Sequence, residues 1–207
     1  MPCISFMPGF WSSYKIRNEV TMALKRKSLN KEDFTKEGID DRLIDKVQTL
    51  RRGWLDKLMI VITKSGNGGM IWIFAALYLY IFAKLHSKAI VLICVIACCA
   101  FINNFIIKGI FTKDRPCDLD DSIPLLIKRP LGSSFPSGHT ASSFASVVVI
   151  FYINPWLGVI ALIWAALIGF SRVYLYVHFP SDVFFGIISG TAIAFVIMPI
   201  AIHFIGW

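Results

Sequence analysis

Six ionisable side chains in the second half of the chain lie at or near the ends of apolar segments. They are Lys108, Arg115, His139, Arg172, His178 and Asp182. Charged groups close to the hydrocarbon of a bilayer are costly and are usually kept for a function. Arginine offers paired donors that match phosphate, and lysine adds a compact positive charge. The set therefore predicts a site that binds a phosphoryl group.

The stretch FPSGHTASSF, residues 135–144, adds two candidate ligands to the basic side chains. Ser137 and Gly138 come directly before an apolar helix, whose free N–H groups and positive dipole end attract an oxyanion. Glycine also allows the backbone to approach a ligand closely. We therefore expect phosphoryl oxygens to lie at this helix terminus.

Two histidines in a phosphate pocket can have two different catalytic roles. One imidazole attacks phosphorus, and the other protonates the departing oxygen. His178 and Asp182 are four residues apart, so on a helix the carboxylate can hold the far ring nitrogen and prepare the near one for attack. The arginines and the lysine supply the positive charge that the transition state needs, so this scheme requires no metal and no cofactor.

Five apolar stretches must position these residues, and 56% of the chain is hydrophobic. The stretches cover residues 69–83, 89–107, 140–153, 156–170 and 183–207. Several of them approach the ~20 residues that a helix needs to cross a bilayer. Five such segments leave too little polar surface for a water-soluble protein. We predict an all-α integral membrane bundle of about five transmembrane helices.

The N-terminal part of the chain is more polar. Residues 1–38 are of mixed composition and are expected to form a mobile tail, ahead of a membrane-embedded domain over 39–207. Apolar residues recur at helical spacing over 39–50, which predicts an amphipathic helix on the membrane surface. Residues 54–63 continue this pattern, and SGNGG at 65–69 then breaks the chain before the first crossing.

Helix lengths bring distant residues to one membrane face. The turn at Asn154–Pro155 divides the chain between His139 and Arg172 into two nearly equal legs of roughly 23–26 Å each. The chain therefore crosses and returns, and Lys108 ends the second span at the same face. In the second span, Asn103 and Asn104 are expected to form interhelical hydrogen bonds.

Three motifs in this region resemble the three signature motifs of the type 2 phosphatidic acid phosphatase superfamily. They read KGIFTKDRP at 108–116, PSGH at 136–139 and SRVYLYVHFPSD at 171–182. Every fixed position is present, in the order that the family shows. The resemblance implies a metal-independent phosphatase in which His178 forms a phosphohistidine, Asp182 orients it and His139 is the general acid. The phosphoryl oxygens would be held by Lys108, Arg115, Ser137, Gly138 and Arg172.

The resemblance implies a membrane lipid phosphatase that acts on a phosphomonoester or a diphosphate, with an undecaprenyl-type isoprenoid diphosphate as the favoured substrate. Phosphatidylglycerophosphate or phosphatidic acid is the alternative substrate. A lipid phosphotransferase and a small non-enzymatic membrane protein are alternative functions. Soluble acid phosphatases and vanadium haloperoxidases share such a pocket, but their chains would not contain five spans.

Charge and small residues indicate the partners of the protein. A formal charge of +8 on a membrane protein indicates anionic lipid headgroups and not nucleic acid. Gly186 and Gly190 lie four residues apart, on a face where another helix can approach closely. Packing inside the chain is the favoured interpretation of this face, and homodimerisation through it is the alternative.

The resemblance also implies an integral protein of a bacterial cell membrane. An odd number of spans places residues 1–64 and the candidate site on one side and Trp207 on the other. The positive-inside rule, taken alone, makes the site cytoplasmic. Bacterial lipid phosphatases of this family commonly face outward, so sidedness stays open, with the extracytoplasmic side favoured.

Overall fold

The structure, a computed structural model, describes residues 38–207, which form helices and loops without any β-strand. Residues 39–207 make up one compact unit, and the predicted tail lies, but for Gly38, outside the described residues. The predicted all-α class is confirmed. The helices are α1 (Ile39–Gln48), α2 (Gly53–Ser65), α3 (Met70–Ile81), α4 (His86–Phe101), α5 (Pro116–Leu119), α6 (Gly138–Ile153), α7 (Pro155–Tyr174) and α8 (Pro180–Ile205).

Among residues 38–207, three helical segments are long and apolar enough to cross a membrane alone, or four if a bent pair is one span, whereas about five were predicted. Helices α7 and α8 are long and apolar enough to do so alone, and so is α4 with its continuation, which together run from His86 to Ile110. Helices α2 and α3 meet the same test as a pair bent by 52°. Helix α6 is apolar but has only 16 residues. The first segment thus begins at Gly53, earlier than the sequence pattern indicated.

The break between α2 and α3 lies in the glycine-rich stretch. Gly68 and Gly69 have φ angles of 58° and 73°, in the left-handed region that glycine adopts without strain. The expectation that residues 54–63 continue the surface helix is wrong, because the chain turns after Gln48 and α2 starts separately. The charged side chains that favoured a membrane-surface location for this segment include Asp56. Its carboxylate accepts a hydrogen bond from the Tyr174 hydroxyl at 2.6 Å.

Helix α6 lies at the centre of the bundle and packs against α4, α7 and α8. The small residues of α8 make the closest approach. A Cβ atom on Gly190 would lie 2.0 Å from the carbonyl oxygen of Ala141, and one on Gly186 would lie 2.8 Å from that of Ser137. Packing inside the chain is therefore confirmed for this face. Dimerisation through it is wrong, because α6 of the same chain already covers it.

The two ends of the bundle are distinct. At one end, the Nζ atom of Lys88 lies 5.2 Å from the ring centroid of Trp207, and the Tyr152 ring lies 5.1 Å from the same indole. These contacts bring the C-terminus, the start of α4 and the end of α6 together at this end of the bundle. The other end carries α1 and the start of α6, where the motif residues lie.

Candidate active site

A cavity of about 280 Å³ opens beside the start of α6. Six of the eight site residues predicted from the sequence line it, and the other two, Ser137 and Asp182, are fully buried. The structure therefore brings together three motifs that are distant in sequence. The lining site residues are Lys108, Arg115, Gly138, His139, Arg172 and His178.

Backbone pairing aligns the first motif with the loop before α6. The N–H of Ser134 donates to the carbonyl of Lys113 at 2.8 Å, and the N–H of Lys113 donates to Oγ of Ser133 at 3.1 Å. The Ser133 hydroxyl donates in turn to the carbonyl of Phe111 at 2.9 Å. This pairing holds the two segments side by side along the cavity.

The guanidinium of Arg115 is bound to backbone carbonyls. Its Nη1 donates to Val177 at 2.9 Å and its Nε donates to Gly132 at 3.2 Å. Its Nη2 donates to Ser133 at 3.1 Å and to Leu131 at 3.4 Å. Arg115 was predicted to bind phosphate, but here it ties the loop before α6 to the residue that precedes His178.

The hydrogen bonds of His178 define its protonation. Nη1 of Arg115 lies 3.1 Å from Nε2 of His178. An arginine side chain can only donate, so Nε2 must accept and carries no proton. Burial lowers the pKa of His178 to about 3, so the ring is neutral near pH 7 with its proton on Nδ1. Nε2 is therefore the ring nitrogen that carries an unprotonated lone pair.

Asp182 lies beside His178, but its carboxylate is 3.7 Å from the ring nitrogen Nδ1, beyond a normal hydrogen bond. Its Oδ2 accepts from the Ser134 hydroxyl at 2.5 Å and from the backbone N–H of Phe179 at 2.9 Å. Its Oδ1 accepts from Lys113 at 2.8 Å. The direct hydrogen bond expected between Asp182 and His178 is not formed, because the carboxylate also caps the start of α8.

His139 is held by a residue that the sequence did not single out. Its Nε2 lies 2.8 Å from Oδ1 of Asn67, in the turn between α2 and α3. The same turn contributes Gly68 and Gly69 to the cavity wall. The glycine-rich composition of the segment predicted a turn, but no sequence pattern connected it with the PSGH motif.

Arg172 has spare hydrogen-bonding capacity at the cavity. It is only 3% exposed, and its Nη1 donates to Oγ1 of Thr63 at 2.7 Å. Its Nε has no hydrogen-bond partner among residues 38–207. A buried cationic donor without an acceptor is costly unless a ligand supplies one. Arg172 is therefore suited to bind an anion that enters the cavity.

Lys108 lies at the end of the π-helix Ile102–Ile107, a form that often occurs at functional sites. Its Nζ would be 4.0 Å from a Cβ atom on Gly138, which places it at the start of α6. In the described part of the chain Lys108 has neither a hydrogen-bonding side chain nor a carboxylate in contact. Like Arg172, it lines the cavity.

The two asparagines of the second span have different surroundings. Asn103 accepts a hydrogen bond from the Ser189 hydroxyl at 3.0 Å, which confirms the expected interhelical bond. Asn104 instead lines the cavity, and its Oδ1 would be 3.3 Å from a Cβ atom on Gly138. Consecutive residues of a helix point in different directions, so the two side chains reach different neighbours.

Comparison with known proteins relates this site to a family. Residues 88–203 match the family model described as the PAP2 superfamily. The undecaprenyl-diphosphatase of Sulfolobus acidocaldarius is 30% identical over 142 residues, which are 68% of this chain and 68% of that protein. Phosphatidylglycerophosphatase B of Bacillus subtilis is 29% identical over 174 residues, 76% of this chain and 81% of that protein.

A solved structure is similar to this chain in fold and in sequence. The crystal structure of Aquifex aeolicus LpxE matches with a TM-score of 0.67 and 29% identity, over 79% of this chain and 97% of that one. The family match covers more than half of the chain and contains all three motifs and the eight candidate site residues. The chain therefore belongs to the PAP2 superfamily, a family of lipid phosphatases, and is an integral membrane protein.

Proposed function

We propose that this protein hydrolyses a lipid phosphomonoester or diphosphate through a phosphohistidine formed on His178. The observation that supports the proposal is the cavity, which is lined by two histidines and by two cations, Lys108 and Arg172, that have no carboxylate in contact among residues 38–207. A phosphoryl group supplies the acceptors that these cations lack. We propose the membrane-embedded residues 39–207 as the phosphatase domain.

In the first step, the lone pair on Nε2 of His178 forms a bond to phosphorus. The bond from phosphorus to the leaving oxygen breaks, and that oxygen takes a proton from His139. Lys108, Arg172, the N–H of Gly138 and the hydroxyl of Ser137 hold the phosphoryl oxygens, since the N–H of Ser137 donates to the carbonyl of Asp182 at 3.0 Å. Arg115 must exchange its contact with Nε2 for a phosphoryl oxygen as the substrate enters.

In the second step, water attacks phosphorus and gives a proton to His139, which lost one in the first step. The nitrogen–phosphorus bond breaks, and its electron pair returns to Nε2 of His178. Phosphate then leaves with the enzyme in its starting state. The cations of the site stabilise the negative charge that develops on the phosphoryl oxygens, so we propose that the reaction needs no metal and no cofactor.

For the substrate we favour an undecaprenyl-type isoprenoid diphosphate, in line with the activity that names the Sulfolobus relative. Phosphatidylglycerophosphate or phosphatidic acid is the alternative, and the name of the Bacillus relative is in line with the first of them. Transfer to an alcohol in place of water gives a lipid phosphotransferase with the same first step. A non-enzymatic membrane protein would not need His178 and His139 in one cavity.

We further propose a bacterial cell membrane as the location, with the cavity open to the extracytoplasmic side. The end of the bundle that carries Trp207 then faces the cytoplasm. A cysteine introduced at exposed Lys128, two residues before the cavity-lining Pro130, would react with a membrane-impermeant thiol reagent in intact cells. Labelling only after lysis would reverse this assignment.

The test of the activity uses the full chain, purified in detergent with EDTA. Undecaprenyl diphosphate, phosphatidylglycerophosphate and phosphatidic acid are offered separately, and phosphate release is measured with and without an added alcohol. We expect release from at least one lipid, abolished in His178→Ala and His139→Ala. Exposed His203, which is outside the motifs, provides the matched control His203→Ala. Equal release by the His178 variant and the parent would refute the proposal.

A further inference from the structure

The hydroxyl of Ser134 stands between the ring of His178 and the carboxylate of Asp182. Oγ of Ser134 lies 3.3 Å from Nδ1 of the ring and 2.5 Å from Oδ2 of the carboxylate. The ring and the carboxylate are themselves 3.7 Å apart. Ser134 is thus within hydrogen-bonding distance of both groups, whereas the ring and the carboxylate are not within hydrogen-bonding distance of each other.

The donors and acceptors around this hydroxyl allow one arrangement. Because Nε2 of His178 accepts from Arg115, the ring proton is on Nδ1, and Nδ1 must donate. The Ser134 oxygen accepts that bond and gives its own proton to Asp182, which can only accept when ionised. The order of donation therefore runs from the ring to the hydroxyl and on to the carboxylate.

The position of Ser134 is fixed independently of the histidine. It is fully buried, and its backbone N–H donates to the carbonyl of Lys113 at 2.8 Å. The side chain of Lys113 reaches the other oxygen of Asp182, also at 2.8 Å. One paired segment therefore holds the serine and the carboxylate together, so the hydroxyl does not follow the ring if the ring moves.

We propose that Ser134 is a positioning residue that, together with Asp182, keeps the proton of His178 on Nδ1 when Arg115 leaves Nε2 for the substrate, so that Nε2 can attack. The inference rests on the proposed function, in which His178 is the nucleophile. When Nε2 bonds to phosphorus, the ring becomes positive and Nδ1–H becomes a stronger donor. The chain through Ser134 then connects that charge to Asp182.

The test compares Ser134→Ala and Ser134→Thr with the parent, using farnesyl diphosphate as a short isoprenoid probe. Loss of the hydroxyl should lower kcat by about 10- to 100-fold, with KM changed less than about twofold, because it orients the nucleophile and does not hold substrate. Threonine keeps a hydroxyl and should recover most of the loss. Ser146→Ala removes another buried hydroxyl, which bonds within α6, and should retain parental kcat.

A spectroscopic measurement separates positioning from a merely structural effect. In ¹⁵N-histidine-labelled protein, the ring signals of His178, assigned by their loss in His178→Asn, should show one protonated and one bare nitrogen. In Ser134→Ala the signal of the protonated nitrogen Nδ1 should shift, because its proton loses the Ser134 acceptor, while Nε2 still accepts from Arg115. Thermal unfolding of the same samples shows whether each variant is folded.

Parental kcat in Ser134→Ala would overturn the inference, and so would unchanged ring signals in a folded, slow variant. In either case the proposed function stands as long as His178→Asn releases no phosphate. Release of phosphate by His178→Asn refutes the proposed function itself and removes the basis for a role of Ser134. A lowered kcat with a shifted Nδ1 signal supports both.

Discussion

The ammonium group of Lys113 lies 2.8 Å from Oδ1 of Asp182 and 3.5 Å from Oδ2 of Asp40, a residue of α1. Asp40 also accepts from the backbone N–H of Ser181 at 2.9 Å and contacts its hydroxyl. The amphipathic helix is thereby joined to the turn that carries the candidate nucleophile. Lys113 makes this connection. It lies inside the first motif but at none of the fixed positions of that motif.

Replacement of Lys113 should weaken the site because it leaves the buried Asp182 without its cation. In Lys113→Gln we expect a fall in kcat of about 10-fold or more and a loss of stability on the order of 1–3 kcal/mol. Phosphate release and thermal unfolding in detergent measure the two effects. Lys128→Gln is the matched control at an exposed lysine, and equal behaviour of the two variants would contradict this account.

The two arginines of the cavity should respond differently to replacement. Arg115→Gln removes bonds to four carbonyls and should cost roughly 3 kcal/mol or more of stability. Arg172→Gln removes a buried charge that has an unpaired Nε, so its stability should be close to that of the parent. Its binding of inorganic phosphate, measured by titration calorimetry, should be weakened at least about 10-fold. Strong phosphate binding by a folded Arg172→Gln would show that this arginine does not hold the anion.

The approach of α8 to α6 predicts a large effect of one methyl group. In Gly190→Ala the new Cβ would overlap the backbone of Ala141, which cannot move aside as a side chain can. We expect a loss of about 3 kcal/mol or more, seen as a lower thermal midpoint or a lost monodisperse peak in gel filtration. Gly53→Ala, where nothing lies within 4 Å of the new atom, is the control and should be neutral or slightly stabilising.

The neutral ring of His178 predicts a loss of stability at acid pH. Its pKa is about 3 in the folded chain, against an ordinary value of 6.5. Between these values the unfolded state binds a proton that the folded state does not, so stability is retained above pH 6.5 and falls below it. From pH 6.5 to pH 5 this single proton costs on the order of 2 kcal/mol.

Thermal midpoints of the parent and His178→Asn at about pH 7 and pH 5 measure this contribution. The variant should lose less stability over that interval than the parent, because one proton-linked group is gone. His86→Asn, at an exposed position, is the control and should keep the parental dependence. A variant that loses as much stability as the parent would assign the acid sensitivity to other groups.

The sequence located most of the site because helix length is a strong constraint. Spans of similar length return the chain to one face, so Lys108, His139 and Arg172 had to meet once the turns were recognised. The eight candidate residues lie at or directly behind one cavity for this reason. Their chemical roles remain predictions that the experiments above test.

The partners of the two histidines could not be predicted from spacing. Ser134 reaches His178 through backbone pairing of two irregular segments, and Asn67 reaches His139 through a turn with left-handed glycines. Neither arrangement produces a periodic pattern in the sequence. The start of the first span was missed for a related reason, since Asp56 is paired with Tyr174 and its polarity gave a misleading signal.

The 16 residues of α6 span about 24 Å, whereas the hydrocarbon layer of a typical bilayer is ~30 Å thick. His139, at the start of this helix, therefore sits below the level of the surrounding headgroups or draws that leaflet inward. In both cases a lipid can present its phosphate while its tail stays among its neighbours. Turnover would then follow the surface density of the substrate in the leaflet, and diluting it with inert lipid should slow the reaction at constant bulk concentration.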